Sequence, residues 1–481
     1  MILLYLALSW LLGIAFVRWL LPSDYRPSLH NLLVASLGAG VGMGICSSLY
    51  FLTLAAFGPK LAIFAGVEGA ALVIALAVGI FAKNRGVKFE WSPGSPAPWY
   101  LTAIFAIVGV TAICIFFFYA MAKPHGEWDA WSIWNLRARF LVRGGENWRD
   151  AFSGVISWSH PGYPLLLPGI VALLWTLAGS ESTLGPISVA FLFTFGAASV
   201  LIATLGALRG KTQSLIAGIV LLGGSGVLVN AANQYADIPL SFFILATLAV
   251  LCLQERYPEE WRFSLLAGIT AGLAAWTKNE GVLFLAAVVL ARAGTLVHQH
   301  RSAELKRQTP WLAVGLAPWL ALLIYFKTQF ATSADLLSKN SNQIYSHVTD
   351  IGRWITVLQA YFLGVFRIGS FLLPVVLLLI LYGYLVRFKV EERDRGALTT
   401  VLTAVVLMML GDFAVYVAFP NDLIWQLNTS LDRLLLQLWP SILLAFFLAT
   451  KSLEVQPQTR APKGKGAKRS PHPGRRTAET R

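Results

Sequence analysis

Apolar residues run along almost the whole chain in blocks of about 20, each long enough to cross the hydrocarbon core of a bilayer as a helix. The blocks lie near residues 2–21, 32–57, 61–82, 99–122, 163–179, 184–208, 213–231, 237–254, 263–277, 280–297, 310–329, 354–388, 398–419 and 434–450. This pattern predicts an all-α polytopic membrane protein. One polar interruption stands apart. From Lys123 to His160 the chain carries Glu127, Asp129, Glu146, Asp150 and His160 among five tryptophans. A connection that only reverses the chain needs a handful of residues, so a long one bearing acids and aromatic rings is where chemistry is expected.

Composition supports this class. Of 481 residues, 56% are hydrophobic and 13% charged, with a mean hydropathy of +0.64. The net charge of +14 falls largely in short loops and in the tail after Lys451. That distribution orients a protein in a membrane, and it does not call for nucleic acid. The first apolar run lacks a basic flank and a small-residue cleavage site, so it is expected to be a retained span. Cys46, Cys114 and Cys252 sit inside apolar runs without metal-ligand spacing and read as small buried hydrophobes.

Charge also gives an orientation. The basic tail and the loops Lys83–Lys88, Arg209–Lys211, His298–Arg307 and Arg387–Arg395 are expected inside. The Trp-rich loop, Asn233–Asp237, Lys278–Glu280, Thr332–Arg353 and Asn421–Arg433 then lie outside. The two counts agree only if 163–179 is a juxtamembrane or re-entrant helix and 354–388 makes one crossing after an interfacial helix. About thirteen spans result, in a plasma membrane, with the tail cytoplasmic. The expected organisation is an N-terminal set of extra helices (1–98), a core with outer loop 123–183 (99–300), a C-terminal module with outer loops 330–353 and 420–433 (301–450), and a basic tail (451–481) that reads as disordered. The glycines at 38–44 and 222–226 lie inside apolar runs and read as helix-packing positions.

Several outer-side residues admit both structural and chemical readings. Trp131, Trp134, Ala138 and Leu141 recur at helical spacing with Arg137, Arg139 and Arg143 around the other sides, as in an interfacial helix anchored by tryptophan. Asp129 precedes that helix, where it either caps it or acts chemically. Asp237, at the mouth of a span with Pro239 behind it, has the same two readings. Lys278 and Glu280 either solvate a hairpin or hold an anion; Arg433 either snorkels or binds phosphate. Nucleotide-loop, zinc-protease and hydrolase-elbow motifs are absent.

The order of these residues resembles the C-type superfamily of polytopic membrane glycosyltransferases, which includes protein O-mannosyltransferases and lipid A aminoarabinose transferases. That family places an acid in the first long outer loop, then a short helix ending Gly-Asp-Trp, then His-Pro-Pro-Leu-Tyr. Here Asp129-Ala130, Gly145-Glu146-Asn147-Trp148 and His160-Pro161-Gly162-Tyr163 follow in that order. A later acid opening a span is matched by Asp237, a Thr-Lys-Gly turn by Thr277-Lys278-Asn279-Glu280-Gly281, and a late arginine by Arg433. The match covers roughly residues 100–300 and the late arginine. Asp129 lacks a following Glu, and extra spans precede the usual first one.

The resemblance implies transfer of a sugar from a polyprenyl-phosphate donor to a lipid, glycan or protein acceptor, with inversion, on the outer face. Asp129, or Glu127, is then the expected base, with Asp237 positioning acceptor or sugar. Lys278 and Arg433 are expected on the donor phosphate; His160, Tyr163 and Glu280 on the substrate. A divalent cation held by His160 and Glu127 is left open. The competing class is a secondary transporter or flippase for an amphipathic anion, although no repeat of the kind such folds carry is evident.

Overall fold

A computed structural model describes residues 1–21, 29–81, 96–331, 341–370, 374–419 and 422–454. The expectations for Lys83–Lys88, for most of the basic tail and for Asn421 lie outside the described residues, as does the part of the 330–353 loop between 332 and 340. Among the described residues the protein is helical, without strands. In chain order the α-helices are α1 (Ile2–Leu20), α2 (His30–Phe57), α3 (Leu61–Phe81), α4 (Trp99–Ala122), α5 (Asn135–Arg143), α6 (Leu166–Ala178), α7 (Leu184–Leu208), α8 (Lys211–Gly223) and α9 (Ser225–Ala232). They continue as α10 (Asp237–Gln254), α11 (Trp261–Thr277), α12 (Asn279–His298), α13 (Ser302–Gln329), α14 (Ser341–Thr349), α15 (Ile351–Arg367), α16 (Val375–Val386), α17 (Arg395–Ala418) and α18 (Leu423–Ala449).

Ten described helices are long and apolar enough to cross a membrane, and eleven if the bent pair α8–α9 is one crossing. The difference from about thirteen has identifiable causes. Helix α11 has 17 residues and α16 only 12, the latter about 18 Å long. The apolar run 354–388 is broken by a turn at Ile368–Ser370, with Gly369 at φ 77°, and by Pro374 at the head of α16. Its first part, α15, exposes Trp354, Ile355, Leu358 and Phe362 at helical spacing, the pattern of an amphipathic interfacial helix.

The core is centred on α10, all 18 of whose residues are buried. A helix apolar on every side has no face to give to lipid, so it is enclosed by other helices; here they include α7, α11 and α18. Helices α1 and α2 cross so closely that a Cβ on Gly13 would lie 1.9 Å from the Gly38 carbonyl oxygen, which bears out the packing role expected of the 38–44 glycines. The 222–226 glycines behave differently. Gly223 ends α8 and Gly224 breaks the run, so that α9 departs at 59°. Cys46 and Cys252 are buried, but Cys114 is exposed on α4.

Ion pairs sort the loops into two ends. At one end Arg209 meets Glu391 at 3.2 Å and Asp394 at 2.9 Å, Arg256 also binds Asp394, Arg301 meets Glu255 at 2.7 Å, and the Thr212 amide donates to Glu454. These are the loops that charge parity grouped on one side. At the other end lie the Trp-rich loop and the head of α10. Helix α6 stays there: Tyr163, before its start, accepts from Arg137 at 2.7 Å, while Glu181, beyond its end, binds Arg143 at 2.6 Å. Both anchors sit on the 9-residue α5, so α6 lies beside it, and at 13 residues it is shorter than the candidate spans.

Candidate active site at the aromatic end of the bundle

Four hydrogen bonds from two segments far away in sequence converge on the carboxylate of Asp237. Its Oδ2 accepts from Arg433 Nε at 2.9 Å and Nη2 at 2.7 Å; its Oδ1 accepts from Lys278 Nζ at 3.1 Å and Gln437 Nε2 at 2.6 Å. Asp237 is 0% exposed. A buried carboxylate is tolerated only when paired and hydrogen-bonded, and this one is saturated. Arg433 Nη2 also reaches Asp129 Oδ2 at 2.5 Å, and Lys278 Nζ reaches Glu280 Oε1 at 2.7 Å. The result is a chain Asp129–Arg433–Asp237–Lys278–Glu280, closed at the centre and open at its edges, where Asp129, Arg433 and Glu280 side chains keep 18–20% exposure.

Local sequence explains each position. Helix α18 begins at Leu423, earlier than the apolar pattern predicted, because Asp422 caps it by accepting from the Trp425 amide at 2.7 Å. Arg433 is therefore ten residues inside the helix, and Gln437 follows one turn later on the same face. The snorkelling reading of Arg433 does not hold, since the guanidinium turns inward over the Tyr235 ring, 4.3 Å from its centroid. Lys278 sits in the tight α11–α12 turn with extended backbone. There a Cβ on Gly281 would meet the Ala274 carbonyl oxygen at 1.8 Å, so only glycine lets the two helices close on the lysine.

Capping, the structural reading of both aspartates, is overturned. Neither Asp129 nor Asp237 makes a side-chain cap bond; both carboxylates go to Arg433. The interfacial-helix expectation is corrected too. Ala130–Trp134 is a π-turn before α5, and its extra residue per turn shifts the register. Trp131 remains exposed while Trp134, Arg137, Ala138 and Leu141 all face inward.

Arg137 is 0% exposed and burial lowers its pKa to about 9. It donates to the Tyr163 carbonyl and lies 5.7 Å from the Phe152 ring centroid. Glu127 stands outside the chain, paired with Lys123. The loop holding Asp129 is fastened by Gln234, which donates to the Pro124 carbonyl at 3.1 Å and accepts from Asn135 at 2.9 Å.

His160 and Tyr163 form a platform beside the chain. Trp134, Tyr163 and His160 stack in sequence, with centroids 5.6 Å and 4.8 Å apart and planes within 11°. His160 holds φ 49°, a left-handed conformation uncommon outside glycine, though histidine tolerates it better than most residues. Desolvation lowers its pKa, with Asp129 acting in the opposite direction. Burial likewise raises the Tyr163 pKa. Lys327 pins the turn, donating to the Gly162 carbonyl at 2.6 Å and to Asn279 at 2.9 Å. Glu146, Asp150 and Asp432 are exposed and join none of these contacts.

Sequence reasoning missed Gln437, Tyr235 and Lys327. Gln437 carried a readable signal, a lone amide in a leucine-rich run one turn after Arg433. Among the described residues no three His, Cys, Asp or Glu side chains are grouped to hold a metal ion, and Glu127 is not beside His160 in any contact of the structure. Comparison with family models, with curated proteins and with solved structures gives no match.

Proposed function

We propose that the protein is a membrane glycosyltransferase that moves a sugar from a polyprenyl-phosphate donor to a lipid, glycan or protein acceptor. The observation that carries this reading is the Asp129–Arg433–Asp237–Lys278–Glu280 chain, built at one end of the bundle beneath an aromatic loop. Arg433 and Lys278 each retain donor capacity: Nη1 of Arg433 makes no hydrogen bond among the described residues, and a lysine ammonium has a third N–H. A donor phosphate takes those positions, where charge on the leaving group develops. As it does so it competes with Asp129 for the guanidinium, which frees that carboxylate.

The acceptor oxygen or nitrogen attacks the anomeric carbon, the carbon–phosphate oxygen bond breaks, and polyprenyl phosphate leaves with the electron pair. The acceptor proton passes to Asp129. Asp237 is enclosed, so its part is to aim the two cations. His160 at the end of the ring stack and Glu280 at the open edge are the sugar-facing groups. In this reading there are about thirteen crossings, counting the bent α8–α9 pair and the short α11 and α16, with this end on the outer face of a plasma membrane and the tail in the cytoplasm, which the distribution of basic loops supports.

The break at Gly224 favours a second reading, because discontinuous spans are a feature of secondary transporters. Purified protein in nanodiscs decides between them. The transfer reading expects slow hydrolysis of a short-chain polyprenyl-phosphate sugar without any gradient, lost in Asp129→Asn. No turnover across a panel of donors, together with gradient-driven flux in vesicles, sinks it.

A further inference from the structure

Helix α17 carries a carboxylate that the chain above does not use. Asp412 is 5% exposed and makes no hydrogen bond or ion pair among the described residues. It lies six residues, about 9 Å, before the end of α17 nearest the site. The neighbouring Gly411 packs against Leu283, one turn below Glu280 on α12. The charged groups within its electrostatic reach are Glu280 and Lys278. Lys278 is already shared between Asp237 and Glu280.

Of the two charged groups in reach of Asp412, Glu280 is an acid and Lys278 is already committed, so Asp412 is a buried acid with no cation of its own. An ionisable side chain at membrane depth is costly without a partner, and its retention points to function.

A second observation points to an occupant. Tyr361, 9% exposed, lies within electrostatic reach of Asp412, and its buried hydroxyl has no partner. Its ring meets Phe413 at 5.8 Å and Tyr416 at 6.2 Å between centroids, and Tyr416 too is within electrostatic reach of Asp412. On the Glu280 side, Oε2 is also buried without a partner. A buried acid without a cation, with tyrosines in reach and unmet hydrogen-bonding atoms beside it, suits an ammonium group, which offers both charge and donors.

We propose that Asp412, with Glu280, Tyr361 and Tyr416, is a subsite for a primary ammonium group on the ligand. The ammonium comes either from an amino group on the transferred or accepting sugar or from an ethanolamine lipid headgroup. The inference rests on the transfer reading for the identity of the ligand, but it is read by binding. Its failure therefore leaves turnover untouched, and failure of turnover leaves it standing.

The full chain in nanodiscs of phosphatidylglycerol, which has no amine, is titrated with octyl 2-amino-2-deoxy-β-glucoside and with octyl β-glucoside, following ligand-induced thermal stabilisation. Wild type and Asp412→Glu bind the amino glycoside about 10- to 100-fold more tightly, the worth of a charge-assisted hydrogen bond. Asp412→Asn loses the difference. Phosphatidylethanolamine added to the discs competes away the amino glycoside if the headgroup is the natural source, and does not if the sugar amine is. Equal affinity for the two glycosides in wild type, or a preference that survives in Asp412→Asn, overturns the proposal. Should Asp412→Asn fail to fold, modification of wild-type Asp412 by dicyclohexylcarbodiimide supplies the answer. The amino glycoside protects at concentrations where the neutral one does not, and equal protection is again contrary.

Discussion

The bundle holds buried carboxylate hubs at both ends, built from the same parts and finished differently. At the far end Asp394 takes Arg209 and Arg256, and Glu255 takes Arg292 and Arg301. At the aromatic end Asp237 takes Lys278 and Arg433. At the far end the Arg209–Asp394 pair is shut on both partners, with side chains 0% and 1% exposed, and Arg209 also donates to the Leu448 carbonyl, while Arg256 and Arg301 keep 17% and 23% exposure. The aromatic end is likewise shut at its centre, on Asp237 and Lys278, but its edge faces the ring stack and keeps the spare Nη1 of Arg433. Its Arg433–Asp129 pair is open by 20% and 18%, and a ring stack flanks it. A closed hub ties loops together; an open one, with donors to spare, can exchange a partner for a ligand. That contrast separates a latch from a site.

The two ends must face opposite solvents for the comparison to matter. In a background without Cys46, Cys114 and Cys252, Val155→Cys, 83% exposed, and Ser302→Cys answer an all-or-none question. An impermeant thiol reagent on intact cells is expected to label position 155 and spare 302. Labelling of 302 alone reverses the orientation and moves the open hub to the cytoplasm.

Next in size is the rate. Asp129→Asn keeps shape but cannot take a proton, so turnover should fall by about 10²–10⁴-fold. The Arg433–Asp129 pair is partly solvated and worth about 0–1 kcal/mol, so the melting temperature should hardly move. A variant with wild-type turnover transfers the base to Glu127 or Glu280, and a large drop in melting temperature would make this edge as structural as the far end.

The closed hubs should then look alike in stability and unlike in kinetics. Asp237→Ala and Asp394→Ala each strand two cations, at a cost of about 3–5 kcal/mol. In the surviving folded protein Asp237→Ala also raises KM for donor, because Arg433 and Lys278 lose their aim. Asp394→Ala leaves KM unchanged. Equal KM effects would show that the aromatic-end hub is only a latch.

What the sequence carried follows from this physics. Span-length apolar blocks made the helical membrane fold legible. The candidates Asp129, Asp237, Lys278, Glu280 and Arg433 were visible because polar residues at span mouths are few. Their pairing was not, since residue spacing along a chain says nothing about which mouths meet. Trp131 and Arg137 were misplaced because a π-turn breaks the helical period. Gln437 and Asp412 were passed over as lone polar residues inside apolar runs, although depth in a membrane is what makes them costly.

The smallest effect tests His160. Its pKa is lowered in the folded protein, chiefly by desolvation, while an unfolded histidine titrates near pH 6.5. As pH falls through about 6.5 the unfolded chain takes up a proton that the folded site resists, so stability declines on acidification until the folded pKa is reached. Above that window the term vanishes and full stability is present. His160→Asn removes the titrating group and keeps a residue that tolerates φ 49°. Melting temperatures from pH 7.5 down to 5.0 should therefore fall more steeply in wild type than in His160→Asn. Arg301→Gln, at the far end, should keep the wild-type slope. If His160→Asn parallels wild type while Arg301→Gln flattens, the acid sensitivity belongs to the closed end. The ring stack then positions the loop without tuning the imidazole.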